Sequence, residues 1–202
     1  MFAQTKKIKK MKKGLLLLAF VGTLFAFKAA STYKVDVNKS KISWVGKKVT
    51  GQHTGEIALS SGALNVDGAK ITGGNFVINM NSITATDVQG EMAAKLVGHL
   101  KAEDFFGTEK YPTAKFVITK TAPIVNGKAT ISGNLTIKGI TQSISFPATV
   151  SQKGNNLVAV AKVMVDRTKY GLKYGSKSFF DSLGDKAIDD EFEINISLVA
   201  SK

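Results

Sequence analysis

The sequence predicts an all-β protein, an antiparallel barrel or sandwich with one short helix. Three observations predict it. Apolar and polar residues alternate with a period of two along most of the chain after Ser31. Two-residue turn signals separate the alternating runs. A single clear helical stripe interrupts them.

The chain opens with a segment of different character. Residues 6–13 hold six lysines, and residues 14–27 form the uncharged run GLLLLAFVGTLFAF. Lys28, Ala29, Ala30 and Ser31 follow. A basic start, an apolar run and then small residues describe a secretory signal peptide. The run of 14 residues is short for a membrane span, which needs roughly 20. The expected division is a signal peptide over 1–30 and one folded domain over 31–202.

This division changes the meaning of the charge. The whole chain carries +13. Residues 1–30 contain seven lysines and no acid, which leaves 21 basic against 15 acidic residues, or +6, in the rest. Arg167 is the only arginine. That is poor equipment for clamping phosphates or reading bases, so nucleic acid is not expected as a partner. The absence of cysteine excludes disulfides, thiolate metal sites and a cysteine nucleophile.

The strands follow in order near 33–37, 41–50, 54–60, 70–80, 114–121, 128–138, 141–150 and 156–166, with a closing strand near 190–200. Ile42 and Trp44 alternate with Lys41 and Ser43. Phe76, Ile78 and Met80 alternate with asparagines, Val77 excepted. Ile131, Gly133, Leu135 and Ile137 alternate with polar residues, as do Ile144, Phe146 and Ala148. Phe192, Ile194, Ile196 and Leu198 close the series. Alternation of this kind means one buried and one solvated face, the habit of antiparallel sheet. Asn126-Gly127 is the strongest hairpin signal, with Asp67-Gly68, Lys138-Gly139 and Gly154-Asn155 beside it.

Two segments depart from this pattern. Over 88–101, Met92, Leu96 and Leu100 form a helical stripe flanked by Ala93 and Val97. Asp87 is the expected N-cap. Residues 166–190 are rich in Gly, Lys and aromatics. They read as a long loop with a short helix near 176–183, and long loops in compact domains are often functional.

Catalytic chemistry is sparse. There are two histidines, His53 and His99. No nucleophile elbow, metalloprotease helix, P-loop or dinucleotide fingerprint is present. Asp185, Asp189, Asp190 and Glu191 cluster without a calcium-loop pattern, which reads as a solvated turn. No metal and no cofactor are expected. The pairs Phe105-Phe106 and Phe179-Phe180 either plug the core or line the mouth of a barrel. A barrel of about eight strands is just wide enough to be filled by side chains or to hold one small ligand.

Three stretches together resemble the YceI-like family of periplasmic polyisoprenoid-binding proteins. HLKAEDFFGTEKYPTAKF, from His99 to Phe116, is similar to the family's H-L-x-x-x-D-F-F-x-x-x-x-Y-P-x-x-x-F signature. GNLTIKGITQSISFP, from Gly133 to Pro147, resembles its central hairpin, and VDRTKYGLKYG, from Val165 to Gly175, its R-T-x-[FY]-G segment. Val97 and Gly98 stand where many members carry an Arg-Asp pair. The resemblance implies an extended eight-stranded antiparallel, lipocalin-like barrel with one short helix capping an end. It implies a periplasmic carrier, not an enzyme, that holds an isoprenoid quinone or polyprenyl phosphate in an apolar tunnel and contacts the membrane surface transiently. A homodimer is compatible with it.

The wall expected on one strand parity comprises Trp44, Phe76, Ile78, Phe116, Ile118, Leu135, Ile137, Phe146 and Val163, with Phe105 and Phe106 beyond the helix. Arg167, Tyr170 and Tyr174 are the expected head-group contacts, with Tyr111 and His99 nearby. Two other readings compete. One is an enzyme acting on a lipid phosphate or ester through His99, Asp104 and His53, which requires the histidines to converge on a pocket. The other is a filled barrel that works as an envelope-stress or interaction module without a lipid.

Overall fold

The computed structural model describes residues 30–202. The signal-peptide reading falls almost wholly outside them. Ten strands form in chain order: β1 (Ser31–Val35), β2 (Lys41–Lys48), β3 (Gly51–Asp67), β4 (Lys70–Asn79), β5 (Thr113–Ile118), β6 (Ala122–Pro123), β7 (Lys128–Ile137), β8 (Ile140–Lys153), β9 (Asn156–Asp166) and β10 (Glu191–Ser201). Among the described residues one α-helix, α1 (Gly90–Lys101), crosses between β4 and β5.

Eight of the strands make a closed ring in the order β3, β2, β10, β9, β8, β7, β5, β4, and the β3–β4 pairing returns to the start. Closure removes the unpaired edges that an open sheet would expose. β1 continues the ring where β2 stops, pairing with both β3 and β10. β6 pairs in the same way with β4 beyond the end of β5.

Hairpin chemistry fixes the registers. Asn126 and Gly127 have φ of 51° and 73°, and Lys138 and Gly139 have φ of 50° and 76°. Two successive positive φ values define the I′ turn, whose twist matches that of paired strands, and glycine adopts its second position without a Cβ clash. The Asp67-Gly68 signal is displaced by one residue. Asp67 pairs with Lys70, so the loop is Gly68-Ala69.

Three sequence expectations change. β3 runs from Gly51 to Asp67, well beyond the expected 54–60. A register shift between Leu59 and Ser61 exchanges the inward parity, from Ile57 and Leu59 to Gly62 and Leu64, and so hides the strand from a period-two reading. The helix begins at Gly90 with Gln89 at its cap and no side-chain capping bond. Asp87 accepts instead from the Thr54 amide at 2.9 Å and lies 2.8 Å from His53 Nδ1, tying the pre-helix loop to β3. Residues 176–183 are not helical. Ser176 Oγ accepts from the Ser178 amide, and Ser178 Oγ donates to Asp190, a side-chain pattern that competes with helix.

Candidate functional site

Period-two alternation turns one face of every ring strand inward. The inward faces enclose a cavity of about 230 Å³. That is well over ten times the roughly 10–15 Å³ that admits one water, so the barrel is hollow. β2 contributes Ile42 and Trp44, β4 Phe76 and Ile78, β5 Phe116 and Ile118, β7 Leu135 and Ile137, β8 Phe146, and β9 Val163. α1 and the segment after it close one end, where Leu100, Phe105 and Phe106 join the lining. Phe76, Phe116 and Phe146 form a row, with centroids 6.3 and 5.5 Å apart along it.

The other end is sealed. Tyr33, Leu157 and Ala200 there are fully buried and belong to the same apolar cluster as Leu64 and Ile71 of the lining. Tyr33 accepts a short hydrogen bond from Gln152. The cavity is therefore a blind tunnel. Among its lining residues only Asp189 and Glu191 are polar and lie outside the buried wall beside Arg167. Their exposure places the mouth beside them, where the paired run between β2 and β10 ends at Val45 and Glu193, next to Gly46. Asp189 N–H donates to the Lys47 carbonyl just beyond, framing the opening.

Arg167 borders the mouth from inside and is only 2% exposed. Its Nε donates to the Asp189 carbonyl at 2.9 Å, Nη1 to the Leu172 and Tyr174 carbonyls at 2.8 Å each, and Nη2 to the Ile188 carbonyl at 2.9 Å. Asp190 lies 3.5 Å away and completes the charge balance. Burial draws the guanidinium below its ordinary value, against the raising effect of Asp190, Asp166 and Asp189. Burial also pushes the Asp190 carboxyl up, but the Ser176 and Ser178 hydrogen bonds and the Arg167 charge together hold it below its ordinary value.

The expected wall residues, Phe105, Phe106 and Arg167 included, all border this one cavity. The expected tyrosines do not. Tyr170 is buried behind the wall, its hydroxyl finds no hydrogen-bond partner, and burial with the nearby Asp166 charge pushes it up to about 12. Tyr174 is half-exposed and packs edge-on against His99 at 4.5 Å. Arg167, expected as a head-group contact, has its donors turned to the loop carbonyls. Phe179 and Phe180 neither plug the core nor line the tunnel, being 46% and 49% exposed.

Several lining residues were not singled out from the sequence, notably Ile57, Ala159, Ala161 and Ile188. The parity that identified their neighbours applies to Ala159 and Ala161 as well, but small side chains gave no reason to choose them. Neither histidine reaches the tunnel. His53 pairs with Asp87, and His99 sits between Phe105 and Tyr174 with its Nε2 unpartnered. Among the described residues no group of three or more His, Asp or Glu side chains is placed to hold a metal, and no helix is long and apolar enough to cross a membrane.

Closed ring, capping helix and blind apolar tunnel define a lipocalin-like barrel with an internal apolar chamber. The chain belongs to the family of the YceI-like domain, whose model matches residues 33–200. A UPF0312 protein of Shewanella denitrificans is 32% identical over 95 residues, about half of each chain. A crystal structure of BcnA from Burkholderia cenocepacia superposes with a TM-score of 0.68 and 28% identity, covering 83% of this chain and 99% of that one. A polyisoprenoid binding domain from Saccharophagus degradans shares the fold, with a TM-score of 0.60 and 16% identity over 84% of this chain and 97% of that one.

Proposed function

We propose that this protein is a periplasmic carrier that holds a long-chain isoprenoid lipid, an isoprenoid quinone or polyprenyl phosphate, by its tail. The blind apolar tunnel carries this reading. Burial of each methylene contributes about 0.8 kcal/mol, so a chain inside the barrel binds well with few polar contacts. The Saccharophagus protein that shares the fold is a polyisoprenoid binding domain, which supports the same ligand class here. Binding without catalysis fits the positions of His53 and His99 away from the tunnel. The hollow interior counts against a filled-barrel interaction module. Export rests on the basic and apolar segment at 6–27, and loading takes place by transient contact with a membrane surface.

The test is mass spectrometry of an organic extract from protein purified out of its native periplasm without detergent. A stoichiometric isoprenoid species is the expected result. An empty extract that stays empty after incubation with quinones and polyprenyl phosphates would overturn the assignment. N-terminal sequencing of the same material checks export, with a mature end near Ser31 expected.

A further inference from the structure

The tunnel offers a tail everything and a head group almost nothing. Its wall is apolar from floor to mouth. Arg167, the only cationic side chain in the lining, is engaged by four carbonyls and Asp190. Tyr170 lies behind the wall and Tyr174 outside it.

The shape of the lumen is set by a different group of residues. The Phe76 and Phe116 rings lie back against the wall over glycines. A Cβ on Gly62 would sit 2.8 Å from Phe76 Cδ1, and one on Gly133 would sit 2.6 Å from Phe116 Cζ. Contacts that short do not occur, so the absent side chains are what let the rings fold away from the lumen. β9 stands opposite β4 in the ring of eight, and there it presents Ala159 and Ala161. Rings parked on glycines on one wall and alanines on the other keep the middle of the tunnel open. Beyond them the buried floor of Tyr33, Leu157 and Ala200 stops any chain.

We propose that the barrel selects its lipid by the tail alone. The depth kept open by Gly62, Gly133, Ala159 and Ala161 sets the tail length, and the head stays at the mouth without a dedicated contact. This inference rests on the isoprenoid-binding reading and narrows it. Alcohols, quinones and phosphates on one tail are equivalent ligands, and only tails of different length are told apart.

The experiment measures binding of farnesol, geranylgeraniol and geranylgeranyl monophosphate to the purified, delipidated protein and to Ala161→Phe. Each methylene that enters the tunnel strengthens binding about fourfold, so geranylgeraniol should exceed farnesol by about tenfold or more. The alcohol and the monophosphate of one tail should agree within about threefold. Ala161→Phe should collapse the preference for the longer tail. Thermal unfolding reports whether that variant is folded, and Ala159→Leu repeats the test with a smaller addition. A difference of about tenfold or more between the alcohol and the monophosphate, in either direction, would overturn the tail-only rule and leave isoprenoid binding intact. An unchanged length preference in both folded variants would overturn the assigned depth gauge. Failure of every isoprenoid to bind would overturn the proposed function, and this inference with it.

Discussion

At the scale of single residues, Arg167 and Tyr170 both depart from the head-group role that residue type suggests. An arginine near an apolar cavity invites the reading of an anion clamp. Here its planar fork is matched to backbone carbonyls of the segment 172–189, which has little regular structure to satisfy them. Removing it leaves the four carbonyls without their donor and takes from Asp190 its countercharge, so that carboxylate keeps only its serine hydrogen bonds. Arg167→Leu should lose about 3–5 kcal/mol in denaturant unfolding, and lysine should restore little because it lacks the fork. Full stability in either variant would contradict the organising role. Tyr170 presents the opposite case. Its buried hydroxyl has no partner, so Tyr170→Phe removes a desolvation penalty and loses no bond. Equal stability, or a gain of up to about 1 kcal/mol, is expected by the same measurement.

Asp190 links these contacts to pH. Its folded value lies below the ordinary 3.8. A carboxyl lowered on folding stabilises the protein above its unfolded value, and that contribution disappears as pH falls through the folded one. Thermal midpoints should therefore fall from about pH 4 downward, and Asp190→Asn should flatten that part of the profile. An unaltered acid limb in the variant would assign the slope to other carboxylates, Asp87 first among them, since it is also lowered.

At the scale of elements, strands with strict alternation were legible because periodicity alone decides which side faces inward. Trp44, Phe116, Leu135 and Phe146 could all be placed on that side from neighbours two residues away. β3 was only partly legible, because the register shift at Leu59/Ser61 breaks the period where Ser60, Ser61 and Gly62 already weaken it. The cap of α1 is illegible for a related reason. Asp87 has the right chemistry for a cap, but a tertiary contact with Thr54 and His53 claims it. Gly133 was legible as an inward position, but its purpose was not. A Cβ there would lie 2.4 Å from the Val117 carbonyl on the paired strand as well as against Phe116. Gly133→Ala should force β5 and β7 apart and cost about 1–3 kcal/mol, and a neutral effect in thermal unfolding would show that the ladder yields freely.

At the scale of the whole molecule, the sequence pattern could establish a half-buried antiparallel sheet but could not choose a filled barrel or a hollow one. That choice depends on the volumes of side chains meeting across the lumen from strands far apart in sequence. Alanines at 148, 159 and 161, set against rings displaced onto glycines, leave a space that no local window of sequence contains. Two short strands, β1 and β6, then extend the ring where β2 and β5 end.

Trp44 offers the most direct test of the tunnel, because it is the only tryptophan in the chain and it lines the cavity. Its indole N–H donates to the Thr84 carbonyl at 3.1 Å, which holds the ring in place against the lumen. The measurement is a fluorescence titration of delipidated protein with a long-tailed isoprenoid quinone, a quencher by contact. A saturable quench reaching completion at one quinone per chain, and displaced by a prenol that does not quench, is the result expected of a lipid-holding tunnel. A linear, unsaturable quench, or a saturable one that the prenol cannot displace, would contradict it.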